Sequence, residues 1–323
     1  MLGQVVPARG HLEQALALYD AQQHGPLAFR YGHDVGTSAL TFLSLTLWLL
    51  GYPDQAYQQS TAALTLAQAL AHANSLASTL AYTAMLRQFR REVRETHTQA
   101  EAALTFASTQ QIPFWAAMGA ILRGWALSRH GQGEVGIDQI REGLAAYQAT
   151  GARYLRSYWL ALLAETYGAV GRPAAGLAVL AEAFEAVHTH AEHYYEAELL
   201  RLKGELLLQS GVEQSGVSAL PAAAAEPCFH QALTIARHQQ ARSLELRAAM
   251  SVSRLWQQQG KRAEAYELLA PIYGWFTEGF DTADLQEAKA LLGNLEDSAH
   301  AYNVPPRHFA QFWRKRRPNH QTF

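Results

Sequence analysis

The chain repeats itself every 40 residues. Four ten-residue segments align without gaps at this spacing: QQSTAALTLA from Gln58, TQAEAALTFA from Thr98, DQIREGLAAY from Asp138 and AVLAEAFEAV from Ala178. A single unit of this length cannot bury its own apolar surface, so neighbouring copies must stack on one another. The repeat therefore predicts a solenoid of stacked units and argues against a mixed or sheet-based fold.

Small residues and turn glycines give each unit its internal structure. A small residue holds the same register in all four copies, and a turn position lies twelve residues before it. Glycine fills the turn in three copies, which suits a helix end because glycine adopts left-handed backbone conformations freely. The small positions are Ala63, Ala103, Gly143 and Ala183, and the turn positions are Gly51, Arg91, Gly131 and Gly171. Each unit is thus predicted to be a helix–turn–helix pair, and the fold class all-α, a right-handed superhelical solenoid.

Two further units follow with altered spacing. PCFHQALTIA, from Pro227, continues the pattern after a shift of 49 residues. The extra residues fall in 209–226, a stretch rich in Gly, Ser, Pro and Ala that predicts a long exposed loop. The sixth unit turns at Gly260, and an amphipathic segment over 282–295 predicts a capping helix.

The ends of the chain differ from the repeats. HLEQALALYD, from His11, resembles the second helix of a unit, so residues 1–30 are predicted to be a partial first repeat within a repeat domain over 1–297. The tail over 298–323 carries five basic residues and no acidic one, and it lacks helical periodicity. We expect this basic tail to be disordered.

Composition excludes several functional classes. A hydrophobic fraction of 49% and a net charge of −2 indicate a folded chain without a field that would recruit nucleic acid or an anionic membrane. The lone Cys228 excludes a disulfide framework. Residues 35–53 are uncharged and long enough to test as a membrane span, but they coincide with one repeat helix and contain many Ser and Thr residues. With no secretory signal at the start, a cytoplasmic protein is expected.

These units resemble tetratricopeptide repeats, which pair two helices around small contact residues and a glycine-containing turn. They depart from the usual 34-residue unit by about six extra residues, and Leu40, Leu80, Ala120 and Leu160 stand where that family has tryptophan. The resemblance implies a surface for protein recognition on the concave side.

Longer stretches resemble one bacterial group more specifically. AFRYGHD, LTLWLLGYPDQA, ILRGWAL and YYEAELLRLKGELLL, together with the segment over 196–292, are similar to the C-terminal repeats of signalling proteins that combine an AAA- or STAND-type ATPase with a class III adenylate/guanylate cyclase. The resemblance implies an interaction or sensor arm whose partner is such an ATPase–cyclase module, in cis or in trans. It transfers no catalytic residue, because the family's catalytic motifs are absent from the sequence.

The sequence contains only weak matches to catalytic, phosphate-binding or metal-binding motifs. Gly260–Lys261 lacks the second glycine and the Ser or Thr of a phosphate-binding loop. His188, His190 and His193 are spaced by two and three residues, whereas helical zinc ligands prefer i, i+4, so histidines in a turn between repeats are the favoured interpretation. The sequence predicts no enzyme activity, no cofactor and no metal site.

Binding is expected on the concave face, which the first helix of each unit lines. Small residues also recur on the first helices, nineteen positions before those of the second helices, at Ser44, Ala84, Gly124 and Ala164. The residue after each of them, and residues one turn away, define the candidate groove, with Trp48 and Trp125 expected to be accessible to a partner. The candidates are Leu45, Trp48, Met85, Gln88, Trp125, Tyr158, Glu165, Glu198, Arg201 and Glu205.

Three functional hypotheses remain. The first is a non-catalytic interaction or sensor scaffold with a protein partner. The second is a regulatory domain that binds a small ligand or peptide in its concave groove. The third, an adaptor for a membrane or nucleic acid through the basic tail, is disfavoured because the rest of the chain is acidic.

Overall fold

The computed structural model describes residues 2–214 and 219–301. Over these residues helix is the only regular secondary structure. Six helical pairs follow one another and account for the twelve repeat helices that the spacing predicts. The pairs are α4 (Val35–Leu49) with α5 (Pro53–Leu70), α6 (Ala73–Phe89) with α7 (Val93–Thr109), α8 (Pro113–Arg129) with α9 (Gly133–Ala149), α10 (Arg156–Ala169) with α11 (Pro173–His190), α12 (Glu196–Gln214) with α13 (Ala219–Gln239), and α14 (Arg242–Gln258) with α15 (Arg262–Tyr273).

The remaining helices flank or join these pairs. Helix α1 (Val5–Leu18) precedes them, and the short helices α2 (Ala21–His24) and α3 (Ala28–Tyr31) lead into α4. A last helix, α16 (Ala283–Ala301), packs on α14 and α15. The predicted capping helix is therefore present and extends beyond residue 295.

Left-handed backbone conformations mark every turn in the first four pairs. Positive φ values occur at residues 51, 91, 131 and 171 within pairs, and at 71, 111, 151 and 191 between pairs. The within-pair positions are those that the alignment predicts. Arg91 adopts this conformation without being a glycine, at φ 60°, which costs backbone energy because its Cβ crowds the following carbonyl.

Helix starts follow from residues with fixed or capping geometry. Pro53, Pro113 and Pro173 each occupy the first turn of a repeat helix, where the missing N–H is not needed. The Asp34 carboxylate caps α4 by accepting a 2.7 Å hydrogen bond from the Thr37 N–H. The prolines begin the second helix in the first and fourth pairs and the first helix in the third pair.

The first helices of the pairs form a closed ring. Each of α4, α6, α8, α10, α12 and α14 contacts the next along the chain, and α14 also contacts α4. The second helices lie on the outside. The concave surface of this solenoid is therefore the interior of a ring, and its size depends on how tightly the six repeats close.

Two expectations about the chain's organisation need correction. The loop expected over 209–226 is largely helical, because α12 continues to Gln214 and α13 starts at Ala219; the alanines over 222–225 favour helix strongly. Residues 298–301, expected to begin the tail, belong to α16. The rest of the basic tail, residues 302–323, lies outside the described residues.

Helix α1 also differs from the expected partial repeat. It begins at Val5 and packs on α4. Its residues share a cavity with inner helices α4 and α6, so it lies on the ring's inner side and is not the outer member of a pair.

No helix within the described ranges combines the length and hydrophobicity that crossing a bilayer requires. The uncharged segment tested above forms α4, whose side chains are mostly buried in the ring.

Candidate functional site

Aromatic side chains fill the centre of the ring. Trp48 stacks on Phe89 with ring centroids 4.6 Å apart, and Phe89 in turn lies 5.7 Å from Tyr195. Tyr158 meets the Tyr195 ring edge-on at 5.2 Å. These residues come from α4, α6 and α10 and from the turn before α12, so one aromatic cluster joins four repeats. Such contacts add to the free energy gained from burial alone.

This packing corrects the expectation that the groove residues are accessible. Trp48 and Trp125 are 2% and 1% exposed, so a partner cannot reach them in this conformation. The physical reason is the closed ring, which turns a concave surface into an interior. Leu45, Met85, Gln88, Tyr158 and Glu198 are buried as well, and Glu165, Arg201 and Glu205 are half-buried. A role for these ten residues in binding stays a prediction.

The structure nevertheless brings the ten candidates together around one interior. Leu45 and Met85 line an apolar cavity. Four others line a polar cavity of about 140 Å³: Gln88, Glu165, Glu198 and Arg201. Three more candidates contact the residues of the polar cavity. Tyr158 donates a 2.7 Å hydrogen bond to Gln88, and Trp125 donates a 2.7 Å hydrogen bond to Glu165. Glu205 lies 3.4 Å from Arg201. Trp48 lies beneath the Arg247 guanidinium at 4.9 Å.

The polar cavity is a network of arginines and carboxylates. Arg201 donates two hydrogen bonds to the Glu198 carboxylate, at 2.9 and 2.8 Å, a bidentate arrangement that holds both side chains in place. Burial raises the pKa of Glu165, but the Arg129 guanidinium and the Trp125 N–H outweigh it, so the pKa lies below its ordinary value. The Glu165 carboxylate is therefore ionised at neutral pH.

Part of this network joins the second repeat to the last repeat and to α16. Arg247 on α14 donates to Asp284 on α16 at 2.8 Å and to the Phe89 carbonyl oxygen at 2.5 Å. Arg91, in the turn after α6, approaches Asp284 at 3.1 Å and Glu287 at 2.8 Å. Residues about 200 positions apart in the sequence thus form one cluster of ion pairs.

Most of these closing residues carry no signal in the repeat pattern. Arg247, Asp284 and Glu287 lie in the last repeat and the capping helix, where the 40-residue register is lost. Arg91 carried a usable signal, because it replaces a repeat glycine at a position that demands φ above zero. A charged residue kept there at an energetic cost indicates a contact that the other repeats do not make.

A second contact closes the ring at α5. The α5 N-terminus has no cap from its own N-cap residue, Tyr52. Glu278 supplies one instead, since its carboxylate accepts from the N–H groups of Asp54 and Gln55 at 3.0 and 3.1 Å. Asp54 in turn accepts from the Gly279 N–H at 2.9 Å. The first and last repeats therefore satisfy each other's backbone groups.

An apolar cavity of about 520 Å³ lies beside the aromatic cluster. Its walls come from α1, α4 and α6 and from the segments that precede α10 and α12. Besides α1, the residues that line it are Phe42, Leu45, Thr46, Leu49, Met85, Phe89, Tyr154 and Tyr194. A ligand in this cavity would touch four repeats at once.

The histidine segment shows a local ion pair. His193 Nδ1 lies 2.8 Å from the Glu196 carboxylate, one turn away. Among the residues that the structure describes, no group of three or more His, Cys, Asp or Glu side chains could hold a metal ion.

The fold and the ring interior place the chain in the class of α-solenoids built from TPR-like repeats. No family model matches the sequence. A Rap protein, solved in complex with competence and sporulation factor, superposes with a TM-score of 0.54 over 83% of this chain and 76% of its own, at 10% identity. This likeness confirms the TPR-like fold.

Two further proteins are similar. A signal transduction ATPase with numerous domains (STAND) from Pyrococcus horikoshii, which carries a tetratricopeptide repeat sensor, matches with a TM-score of 0.43 and 13% identity over 81% of this chain and 38% of its own. An uncharacterised protein of Rhizobium meliloti (strain 1021) is 26% identical over 256 residues, which is 79% of this chain. The chain spans only 24% of that relative's length.

Proposed function

We propose that this chain is a non-catalytic interaction and sensor scaffold. The apolar cavity on the ring's inner side carries the proposal. It draws its walls from the first helices of the first and second repeats and from the segments that lead into the fourth and fifth, so an occupant would contact four repeats and alter their relative positions. A solenoid of linked repeats passes such a change along its length, because each repeat touches its neighbours.

We further propose that the partner is an ATPase–cyclase signalling module, in cis or in trans, in a bacterial cytoplasm. The sequence resemblance to the repeat arms of such proteins supports this assignment. The length of the Rhizobium relative is compatible with this assignment, because the aligned region is about a quarter of that protein and the remainder could hold other domains. The chain itself then contributes recognition, and the partner supplies the chemistry.

A small ligand or peptide is the second candidate occupant. The cavity volume of about 520 Å³ lies in the range of sites for small molecules. Tyr194 lines this cavity, and its buried hydroxyl has no hydrogen-bond partner among the residues that the structure describes. A ligand with one polar group would satisfy it.

Binding of a purified ATPase–cyclase fragment to the full chain tests the proposal. We expect Phe42→Asp to weaken binding at least tenfold, about 1.4 kcal/mol, because Phe42 is a half-buried wall of the cavity. Val135→Asp, on the exposed face of outer helix α9, introduces the same charge and should leave affinity unchanged. Absence of binding by the wild-type chain would contradict the scaffold hypothesis with this partner.

The same preparation separates the second candidate. A small ligand or peptide that binds the folded chain raises its melting temperature with increasing concentration, without the protein fragment. If such a compound stabilises wild type and Val135→Asp but not Phe42→Asp, ligand binding replaces protein binding as the function of the cavity.

A further inference from the structure

Helix α1 covers the apolar cavity and makes few buried contacts there. Val5 is its one buried residue, while Leu12 and Leu16 are half-buried against the core. Its other side-chain contacts lie at the edge of the groove; for example, the Arg9 guanidinium lies 5.4 Å from the Tyr52 ring centroid. Most of the helix surface is exposed, so the groove beneath it is only partly filled.

The segment before and at the start of α1 separates two cavities. Residues 2–7 line the 520 Å³ cavity on one side and a cavity of about 730 Å³ on the other. The second cavity reaches His193 and the end of α13 at Gln239. If α1 moved away, the two cavities would join into one groove that runs from α4 to α13.

Two buried polar atoms beside these cavities have no hydrogen-bond partner among the described residues, namely the Tyr194 hydroxyl and the Gln239 Oε1. Tyr194 lines the first cavity and Gln239 the second, and both residues are at least nine-tenths buried. Gln239 uses its other amide atom, Nε2, to donate to the His193 carbonyl oxygen at 2.8 Å. Buried polar atoms normally find a partner, so these two indicate an occupant that is richer in polar groups than α1.

The helix itself is weakly stabilised. Its N-cap residue, Gln4, makes no side-chain cap, and its first turn has no acidic residue. Val5, Val6 and Gly10 are poor helix formers, and fourteen residues are marginal for a helix without strong packing. The energetic barrier to removing α1 from the groove is therefore small compared with that for a repeat helix.

We propose that α1 is an internal occupant of a helix-binding groove, and that a partner's amphipathic helix displaces it. This inference rests on the proposed function and names the partner's chemistry. Val5, Leu12 and Leu16 are spaced i, i+7 and i+11, which places three aliphatic side chains on one helix stripe. The partner helix presents the same aliphatic stripe and adds polar groups that reach Tyr194 and Gln239.

A labelled peptide copy of residues 2–20 tests this inference by fluorescence anisotropy against the full chain. Wild type should bind the peptide weakly, because α1 competes from within the same molecule at high effective concentration. Leu12→Asp dislodges α1 by placing a carboxylate against apolar side chains, and should bind the peptide at least tenfold more tightly. Ala15→Asp adds the same charge on the exposed side of α1 and should behave as wild type.

A control peptide carries Val5→Asp and Leu12→Asp and should bind none of the three proteins. Equal binding of the 2–20 peptide to all three proteins would overturn the inference. So would an absence of binding to both Leu12→Asp and the double variant Val5→Asp/Leu12→Asp when circular dichroism shows them folded. The assay contains no ATPase–cyclase fragment, so its outcome is independent of whether that partner is correct.

Discussion

At the scale of single residues, Asp284 is the charge on which ring closure most depends. Its carboxylate accepts from Arg247 in the last repeat and from Arg91 in the turn of the second repeat. Burial raises the pKa of Asp284, but the two guanidinium groups outweigh it and hold the pKa below the ordinary value of 3.8. A carboxyl group with a depressed pKa stabilises the folded state above its unfolded pKa.

We expect this contribution to disappear as the pH falls below about 4, where the unfolded chain binds a proton before the folded one does. In urea unfolding at pH 7, Asp284→Asn should lower the free energy of unfolding by about 3 kcal/mol, because Arg247 then lacks its main buried partner. The difference from wild type should shrink toward pH 3. Glu287→Gln, on the more exposed neighbour in α16, should cost much less, and equal losses would contradict this role of Asp284.

Arg91 shows what sequence reasoning could and could not extract from one residue. The repeat alignment placed it at a turn and marked it as the exception among glycines, and the structure confirms that its φ is positive. Its ion pairs with Asp284 and Glu287 could not be predicted, because they depend on which distant segment lies beside the turn. The backbone conformation of Arg91 follows from its position in the repeat, whereas its ion-pair partners depend on the curvature of the whole array.

At the scale of elements, small residues determine how closely paired helices approach. Between α8 and α9, a Cβ atom on Gly136 would lie 2.5 Å from the Gly124 carbonyl oxygen. The reverse contact, from Gly124 to the Gly136 oxygen, would be 2.9 Å. Gly124 is one of the small residues that recur at 40-residue spacing, and the structure explains both glycines as backbone-to-backbone packing.

Gly136→Ala should therefore destabilise the protein by about 1–3 kcal/mol, since the two helix backbones must separate to admit the methyl group. Gly10→Ala in α1 is the matched control, because its added Cβ would meet no atom within 4 Å. There the better helix propensity of alanine should raise helix stability by up to about 1 kcal/mol. Chemical unfolding compares the two variants with wild type, and a neutral Gly136→Ala would refute the close-packing argument.

Helix α1 marks the limit of pattern reasoning at this scale. Its apolar spacing resembles that of an outer repeat helix and therefore predicts the second helix of a partial repeat. An amphipathic stripe indicates that one face of a helix is buried, but it does not indicate which surface that face packs against. The inner position of α1 depends on a groove that exists only after the repeats have assembled.

At the scale of the whole molecule, six repeats close into a ring and convert a concave surface into an interior. The 40-residue repeat predicts the number of pairs and their phase. It could not predict closure, because a small rotation per repeat accumulates over six units and has no local signature. Closure contributes directly to the burial of Trp48, whose ring lies beneath Arg247 of the last repeat, whereas Trp125 is covered by Arg129 and by Glu165 of the neighbouring repeat.

Closure of the ring is also relevant to the proposed scaffold function. A ring held by ion pairs at Asp284 and by the Glu278 cap on α5 has contacts that can break without unfolding any repeat. Binding in the inner groove can therefore change the distance between first and last repeats, which is a signal that a linked module can detect.

Chemical cross-linking of the first repeat to the last tests closure most directly. Gln55 Nε2 lies 2.9 Å from Glu278 Oε2, although 223 positions separate the two residues. In a Cys228→Ser background, Gln55→Cys/Glu278→Cys treated with a short bismaleimide at low protein concentration should give a rapid intramolecular cross-link, read by mass spectrometry. A control pair, Gln55→Cys/Val135→Cys, joins α5 to the outer helix of the third pair and should cross-link little. A closed ring predicts a yield for the first pair far above that of the control, and equal yields would contradict the closed ring.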